Sequence, residues 1–479
     1  MKKIFLLVAL GTTLVPAIFV IYKAGGLSSW QGVLPPGTTD SRYYYARIHE
    51  VLDGHLFIGN PYVYERRGDY SPAFFLPDAV SALPMLLGLP FNAGVVLNMF
   101  VWSFVFLLLS FTLFSLLGLP KKWAFAWTII LYVNSYSFVL RPTVMQVIYP
   151  VFLAFLITLL KFLHEPFVRK RIVWLAIAAA STFYAYTYLS YIVILSLAFV
   201  FFRYLFTRRF KELKELTNVA VLSGLILIPF GIYTWMQMHG PYYFETLTRI
   251  GLVYTHIPSI EAYLYGRWVI IGLIAATFLS RQKVFWFSTG TALLISLFLN
   301  VITGVELMLG IHIGRFVILW MVMILSSLLY EWRDKKSLLP AALLLVLSIG
   351  VVRNISRGLD FFKFDNRGVK TADIQPIAGP LKWLDENVQE ESVIWSNETI
   401  GEYIPIMTKH YPMYFHGAKL HSMPDQEFEE RRLLWENRDF SKFNVKYLII
   451  DRFTDNLPPS FQDALYDDGR FVIVALPLQ

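Results

Sequence analysis

The sequence predicts a mainly α-helical polytopic membrane protein that carries a small α/β domain at its C-terminal end. Of the 479 residues, 56% are hydrophobic and only 16% are charged, which is more apolar than a soluble core of this size needs. The apolar residues occur in runs long enough to cross a bilayer, and short basic clusters separate these runs. The last part of the chain lacks such runs and alternates between strand-like and helix-like patterns.

A bilayer core requires about 20 apolar residues in a helix. Segments that meet or approach this length lie at roughly 4–23, 91–117, 123–140, 144–163, 172–187, 189–206, 216–238, 268–280, 284–303, 316–331 and 338–353. The pair 172–187 and 189–206 can alternatively form one long broken helix, and 268–280 is short. The first run follows two lysines like a signal peptide, but it has the length of a full span and lacks a small-residue cleavage site. We therefore predict about eleven transmembrane helices.

The basic clusters predict the orientation of these helices. With eleven spans, one side of the membrane receives Lys2/Lys3, Lys121/Lys122, Arg169 to Arg171, the group from Arg208 to Lys214, Arg281/Lys283 and the group from Arg333 to Lys336. The positive-inside tendency makes this side cytoplasmic. The N-terminus is then inside, and the opposite face holds segments 24–90, 239–267 and 304–315 together with the tail. The sequence thus predicts a multi-pass plasma membrane protein with an extracytoplasmic C-terminus.

Two domains are predicted, a membrane domain over residues 1–353 and an α/β domain over 354–479. The first carries 28 Lys and Arg against 14 Asp and Glu, and the second carries 14 against 20. Strands are predicted at 392–397, 444–452 and 470–477, and helices at 379–389 and 426–437. Because the basic excess lies in clusters between apolar runs, it indicates membrane orientation and not a nucleic-acid partner.

The composition also narrows the functional class. The chain has no cysteine, which excludes disulfides, thiolate metal sites and cysteine nucleophiles. The interiors of the predicted spans contain no Asp, Glu, Lys or Arg, since Lys161 and Arg203 lie near cytoplasmic ends. Ion-coupled transporters usually carry ionisable groups within the membrane. The pattern therefore argues against such a transporter.

The segment after the first span carries the strongest functional signal. Asp40 precedes SRYYYARIHEVLDG, which predicts an amphipathic helix with Asp40 as its N-cap and Gly54 as its stop. Its apolar face is formed by Tyr44, Ile48, Val51 and Leu52. Such a helix is expected to lie along the membrane surface with this face toward lipid. The simpler interpretation of Asp40 is a helix cap, worth about 1 kcal/mol.

Charged and aromatic residues accompany Asp40 in this external loop. The loop continues GNPYVYERRGDYSP, which adds Glu65 and Asp69 among aromatic rings. Aromatic faces and charged groups together suit a sugar, whose C–H faces stack and whose hydroxyls need hydrogen-bond partners. The outer connecting segments also carry arginines and, beyond Lys23, no lysine. A guanidinium binds phosphate through two parallel hydrogen bonds, although interfacial snorkelling explains part of these arginines equally well.

The arrangement resembles the GT-C glycosyltransferases. The resemblance rests on an Asp soon after the first span, a YY-x-R-like helix, a Gly-Asp stretch and a Ser-Pro turn before the second span. It implies a polytopic enzyme that takes a sugar from a polyprenyl-phosphate carrier on the non-cytoplasmic side and inverts the anomeric centre. By position, Asp40 matches the catalytic acid of that family. The acceptor can be a glycan, a lipid or a protein.

The resemblance also implies substrate-binding residues. In ELMLGIHIGRF (306–316), Arg315 matches a phosphate ligand and His312 is a weaker candidate, while Arg267 in LYGRW is a poorer one. An interfacial arginine that ends a helix is the alternative for Arg315. Further candidates from the first external loop are Arg42, Tyr43, Tyr44, Glu65 and Asp69.

Two departures from the family limit the prediction. The chain has no Trp-Trp-Asp motif, which argues against transfer to a protein sequon. The first loop has no D-x-D motif, so we expect no cofactor and metal-independent chemistry, with a metal held by Asp40, Glu65 or Asp69 as the open alternative. A lipid or glycan translocase, or a non-catalytic scaffold with the same fold, is the competing hypothesis.

Overall fold

The structure, a computed structural model, describes residues 2–23, 25–34, 40–139, 141, 144–333, 338–360, 371–455 and 463–476. Most of these residues are helical. Lys335 and Lys336 of the last predicted cytoplasmic cluster lie outside the described residues, as do Leu140 and Pro477, the predicted ends of a span and of a strand.

The first part of the chain is a helical bundle with two short strands. In chain order its elements are α1 (Lys2–Lys23), α2 (Ser41–Leu52), α3 (Leu76–Leu86), α4 (Phe91–Leu116), α5 (Lys121–Val139), α6 (Val144–His164), α7 (Arg169–Ala185), α8 (Thr187–Phe206), α9 (Phe210–Ile226), α10 (Ile228–Met238), α11 (Tyr243–Arg249), β1 (Leu252–Tyr254), α12 (Ile260–Leu279), α13 (Lys283–Leu297), α14 (Leu299–Thr303), β2 (Val305–Leu307), α15 (Leu309–Trp332) and α16 (Leu338–Asp360). Each predicted apolar segment coincides with one or two of these helices.

Six helices among the described residues are long and apolar enough to cross a membrane, namely α4, α6, α8, α12, α15 and α16. The pair α9 and α10, bent by 52° at its break, makes a seventh span if it crosses as a unit. The chain is therefore a multi-pass membrane protein. The count of eleven spans and their orientation stay predictions.

The segments 172–187 and 189–206 form two separate helices, α7 and α8. Tyr186 between them has an extended backbone, with φ −169° and ψ 116°. This conformation interrupts the helical hydrogen bonds, so α7 ends at Ala185 and α8 begins at Thr187. The two segments are therefore broken at Tyr186, and the number of membrane crossings that they make stays a prediction.

The span predicted at 268–280 starts earlier than expected, at Ile260. Ser259 caps α12 there, because its side chain accepts a hydrogen bond from a backbone N–H of the first turn. Glu261 and Arg267 lower the hydropathy of these first turns, so a search for apolar runs misses them. The completed helix has 20 residues, enough for a full span.

Helix α15 lies at the centre of the bundle. It packs against α5, α12, α13 and α16, and most of its side chains are buried. In its middle, the indole of Trp320 donates a hydrogen bond to the hydroxyl of Thr289 at 2.9 Å. Its first turns carry His312 and Arg315, which are therefore held on a rigid element.

The C-terminal part of the chain is an α/β unit. Its elements are α17 (Thr371–Ile374), α18 (Ala378–Asn387), β3 (Val393–Trp395), α19 (Glu398–Met407), β4 (Tyr411–Pro412), α20 (Asp425–Asn437), β5 (Val445–Asp451), β6 (Ala464–Asp467) and β7 (Phe471–Ala475). The strand order is β4-β3-β5-β7-β6, with β3 parallel to β4 and β5, and with β7 antiparallel to β5 and β6. The three predicted strands and two predicted helices are confirmed, whereas α19, β4 and β6 were not predicted.

Helix α2 has the predicted bounds but different surroundings. Asp40 occupies the N-cap position and makes no side-chain cap, and Gly54 follows the helix with φ 93°. The helix packs between α3 and α19. Ile48 and Val51 are buried by protein, so the expectation that this face lies toward lipid is wrong. The polar Arg47 and Glu50 are buried too, because helices cover both sides of α2.

Arg47 anchors α2 through a buried ion pair. Its guanidinium donates to Asp78 of α3 at 2.6 and 3.1 Å and to the hydroxyl of Ser71 at 2.5 Å. We expect Arg47→Met to lower the free energy of unfolding by about 3–5 kcal/mol, because Asp78 is left as an unpaired buried charge. Thermal unfolding in detergent measures this loss. The double variant Arg47→Met/Asp78→Leu should recover much of it, and an equally unstable double variant would contradict the explanation.

Candidate active site

Asp40 is held by an arginine that is remote in sequence. Arg141, in the connection between α5 and α6, places Nη2 at 2.5 Å from Oδ2 of Asp40. The same nitrogen donates to the hydroxyl of Tyr44 at 2.8 Å, and the guanidinium lies over the Tyr44 ring. The Asp40 side chain is 50% exposed and that of Arg141 only 9%. Asp40 is thus a fixed carboxylate that remains open to a ligand.

Arg315 lies on the same side of the protein as Asp40. Burial raises the pKa of the Tyr44 phenol, the charges of Arg141 and Arg315 oppose this rise, and the charge of Asp40 adds to it. Asp40 and Arg315, which were predicted to form the two ends of the site, therefore both act electrostatically on Tyr44. Arg315 is also within hydrogen-bonding reach of the hydroxyl of Tyr186, the extended residue between α7 and α8.

His312 lies one turn before Arg315 on α15 and contacts the same tyrosine, Tyr186. Its Nδ1 shares a hydrogen bond with the hydroxyl of Tyr186, and its ring stacks on Tyr188 at 4.1 Å between centroids. The hydroxyl of Tyr188 in turn donates to the backbone oxygen of Leu307 at 2.7 Å. These contacts fix the orientation of the imidazole ring, which lies one turn before Arg315 on the same helix.

Arg267 has different surroundings. It is exposed on α12, and its guanidinium lies 5.2 Å from the centroid of the Trp268 ring. The contacts that join Asp40, Arg141, Tyr44, Tyr186 and Arg315 do not include it.

Arg42 and Tyr43 contact the C-terminal unit. The guanidinium of Arg42 pairs with Glu402 of α19 at 2.5 Å and donates to the hydroxyl of Tyr403 at 3.4 Å. Burial raises the pKa of Glu402 to about 7, although the Arg42 charge opposes this rise. Tyr43 stacks on His421 with ring centroids 4.6 Å apart. The first turn of α2 is therefore shared between the Asp40 site and the C-terminal unit.

Glu65 and Asp69 also contact the C-terminal unit. Glu65 pairs with Arg431 of α20. Asp69 accepts a hydrogen bond from the hydroxyl of Ser422 at 3.0 Å, and burial raises its pKa. The three carboxylates considered as metal ligands, including Asp40, thus have three different partners. No group of three or more His, Asp or Glu side chains in the described ranges is arranged to hold a metal ion.

Arg141 and Tyr186 were not among the predicted site residues. Arg141 lies between the predicted spans 123–140 and 144–163, and nothing in its local sequence distinguishes it from other arginines that lie between spans. Tyr186 is one of many tyrosines in apolar segments. The informative signal for both is the tertiary contact, which joins Arg141 to Asp40 across 101 positions.

Neither a protein-family model nor a curated protein matches this sequence. Among solved structures, ArnT from Cupriavidus metallidurans bound to undecaprenyl phosphate is similar, with a TM-score of 0.58 and 13% identity over 99% of this chain and 97% of that chain. The apo Archaeoglobus fulgidus oligosaccharyltransferase is also similar, with a TM-score of 0.51 and 13% identity over 93% of this chain and 69% of that chain. As predicted, this chain therefore has the fold of the GT-C glycosyltransferases.

Proposed function

We propose that this protein is a membrane glycosyltransferase that moves a sugar from a polyprenyl-phosphate carrier to an acceptor hydroxyl. The reaction takes place at the extracytoplasmic rim and inverts the anomeric centre. The observation that carries the proposal is the half-exposed carboxylate of Asp40, fixed by buried Arg141 on the same side as Arg315. The fold shared with ArnT, which binds undecaprenyl phosphate, supports this donor class.

Asp40 acts as the general base. The acceptor oxygen attacks the anomeric carbon from the face opposite the phosphate, its proton passes to the Asp40 carboxylate, and the bond from the anomeric carbon to the phosphate oxygen breaks. Correct placement of the base matters because proton transfer requires hydrogen-bond contact. Arg141 supplies that placement, since a single Nη2 engages both Asp40 and Tyr44.

Arg315 compensates the charge that develops on the departing polyprenyl phosphate. Its guanidinium offers paired donors in a plane, a geometry that matches phosphate oxygens. Preorganised donors are effective because they need no reorientation during the reaction. Tyr186 interacts with His312 and Arg315, both in the first turns of α15, and these interactions supply the preorganisation. Arg42, Tyr43 and Tyr44 are proposed as additional sugar or phosphate contacts.

A direct assay tests the function. Purified protein in lipid nanodiscs receives a panel of polyprenyl phosphates labelled in different sugars, together with a membrane extract as the source of acceptor. We expect one label to be consumed with release of free polyprenyl phosphate. If well-folded protein consumes none of the labelled polyprenyl-phosphate sugars, the proposal is refuted.

A further inference from the structure

A cleft of about 220 Å³ lies where the first external loop, the α10–α11 connection and the C-terminal unit meet. Its lining includes Asp69, Tyr70, Gln237, His239, Tyr243 and Ser422. Pockets for drug-sized ligands measure about 300–1,000 Å³. The volume of this cleft therefore suits a ligand the size of one ring.

The polar groups in the cleft are fixed. Asp69 accepts a hydrogen bond from Ser422 at 3.0 Å and keeps a second carboxylate oxygen. The side-chain N–H of Gln237 donates to the backbone oxygen of Ser71, which sets the orientation of the amide. Tyr70 and Tyr243 are half-buried. Aromatic surface next to hydroxyl, amide and carboxylate groups matches a sugar ring, whose hydroxyls both donate and accept.

One row of rings leads from the cleft toward Asp40. His421, the neighbour of Ser422, stacks on Tyr43, and Tyr43 contacts Tyr44 edge-on with centroids 5.0 Å apart. Tyr44 accepts the hydrogen bond from Arg141. Both tyrosines are half-buried, whereas His421 is fully buried, so the accessible part of this row is formed by Tyr43 and Tyr44.

A second row of rings follows α8 toward Arg315. The ring centroid of Tyr191 lies 6.4 Å from that of Tyr188, and Tyr188 stacks on His312. All three side chains are half-buried. The row through Tyr43 therefore links the edge of the cleft to Tyr44, and the row along α8 ends at His312, one turn before Arg315.

We infer that this cleft is an acceptor subsite and that it binds a sugar ring of a glycan-bearing acceptor. The inference rests on the proposed function and specifies the acceptor class. Two ring contacts separate the cleft from Tyr44, so the ring bound there is not the one that reacts. The attacking hydroxyl belongs to a neighbouring unit of the same glycan, which passes Tyr43 and Tyr44 and reaches Asp40.

Substituted-cysteine protection tests the subsite without a transfer assay. The chain has no cysteine, so His239→Cys places a single thiol at the exposed edge of the cleft. The probes are methyl glycosides of glucose, mannose and N-acetylglucosamine and the corresponding methyl disaccharides. We expect at least one of them to slow labelling by a membrane-impermeant maleimide about fivefold, the factor that about 1 kcal/mol produces. Lys382→Cys, on a side chain that is 73% exposed on α18, should be labelled at an unchanged rate.

The result also separates this inference from the proposed function. Tyr243→Ala in the His239→Cys background should abolish the protection, and Tyr70→Ala replaces it if the first variant is not monodisperse. In the transfer assay the same substitution should raise the acceptor KM. Protection by a glycoside in a protein that consumes no polyprenyl donor would support the cleft and refute the reaction. A thiol that no glycoside protects up to its solubility limit would overturn the subsite.

Discussion

Asp40→Asn is expected to slow sugar transfer by about 100- to 10,000-fold, the usual contribution of a positioned general base. Asparagine has nearly the same size and still accepts a hydrogen bond from Arg141, but it does not take up the proton of the acceptor hydroxyl. Because a base acts only in the transition state, kcat and kcat/KM should fall together while the donor KM changes little. Initial rates with the identified labelled donor measure both parameters.

Asp53→Asn is the matched control for this variant. Asp53 follows the other end of α2 and contacts Nδ1 of His49 at 3.1 Å, so the control removes a carboxylate from the same helix at a distance from Arg141. We expect it to transfer sugar at nearly the wild-type rate. Both proteins must elute as single species, because Asp40→Asn also removes an ion pair. Equal turnover by the Asp40→Asn and Asp53→Asn variants would contradict the assignment of the base.

The helices of the membrane domain were predictable because their signal is local. A run of about 20 apolar residues has few structures open to it in a bilayer, since every backbone hydrogen bond must be satisfied within the segment. The start of α12 was missed for the same reason. Its first turns carry Glu261 and Arg267 and depend on the Ser259 cap, a feature that a search for apolar runs does not detect.

The strands of the C-terminal unit show that long strands can be predicted from local sequence and short edge strands cannot. β5 and β7 are long and apolar, and their sequences predict them. β4 has two residues and β6 has four, and both exist because longer strands offer them a partner. Strand formation at such edges depends on tertiary pairing more than on propensity.

In the candidate site, too, local sequence identifies some residues, whereas the pairings between them depend on tertiary contacts. Asp40 was identified from its position at a helix start, which is local information. The pairing with Arg141 depends on how the α5–α6 connection meets α2 and leaves no trace in either segment. Likewise, the sequence places Arg42 and Glu65 in the external segment after the first span, whereas α19 and α20 supply their partners Glu402 and Arg431. Docking between distant segments was therefore the part that local patterns did not contain.

Arg315→Gln is expected to slow transfer by about 100- to 1,000-fold, the loss produced when a preorganised donor to a developing negative charge is removed. Arg315→Lys should give an intermediate rate, because the ammonium keeps the charge but not the paired planar donors. Inhibition by undecaprenyl phosphate provides a second measurement. Its half-inhibitory concentration should rise in the order wild type, Lys variant, Gln variant if Arg315 binds the phosphate.

Arg333→Gln is the control at the opposite end of α15, where the guanidinium stacks 3.8 Å from the centroid of the Tyr330 ring. It should leave both the rate and the inhibition unchanged, and an unchanged inhibition curve for Arg315→Gln would remove Arg315 from the phosphate site. The double variant Asp40→Asn/Arg315→Gln is the stricter test. Groups that serve one transition state are not additive, so the double variant should be little slower than Asp40→Asn alone. Fully additive losses would mean that the two residues contribute independently of each other.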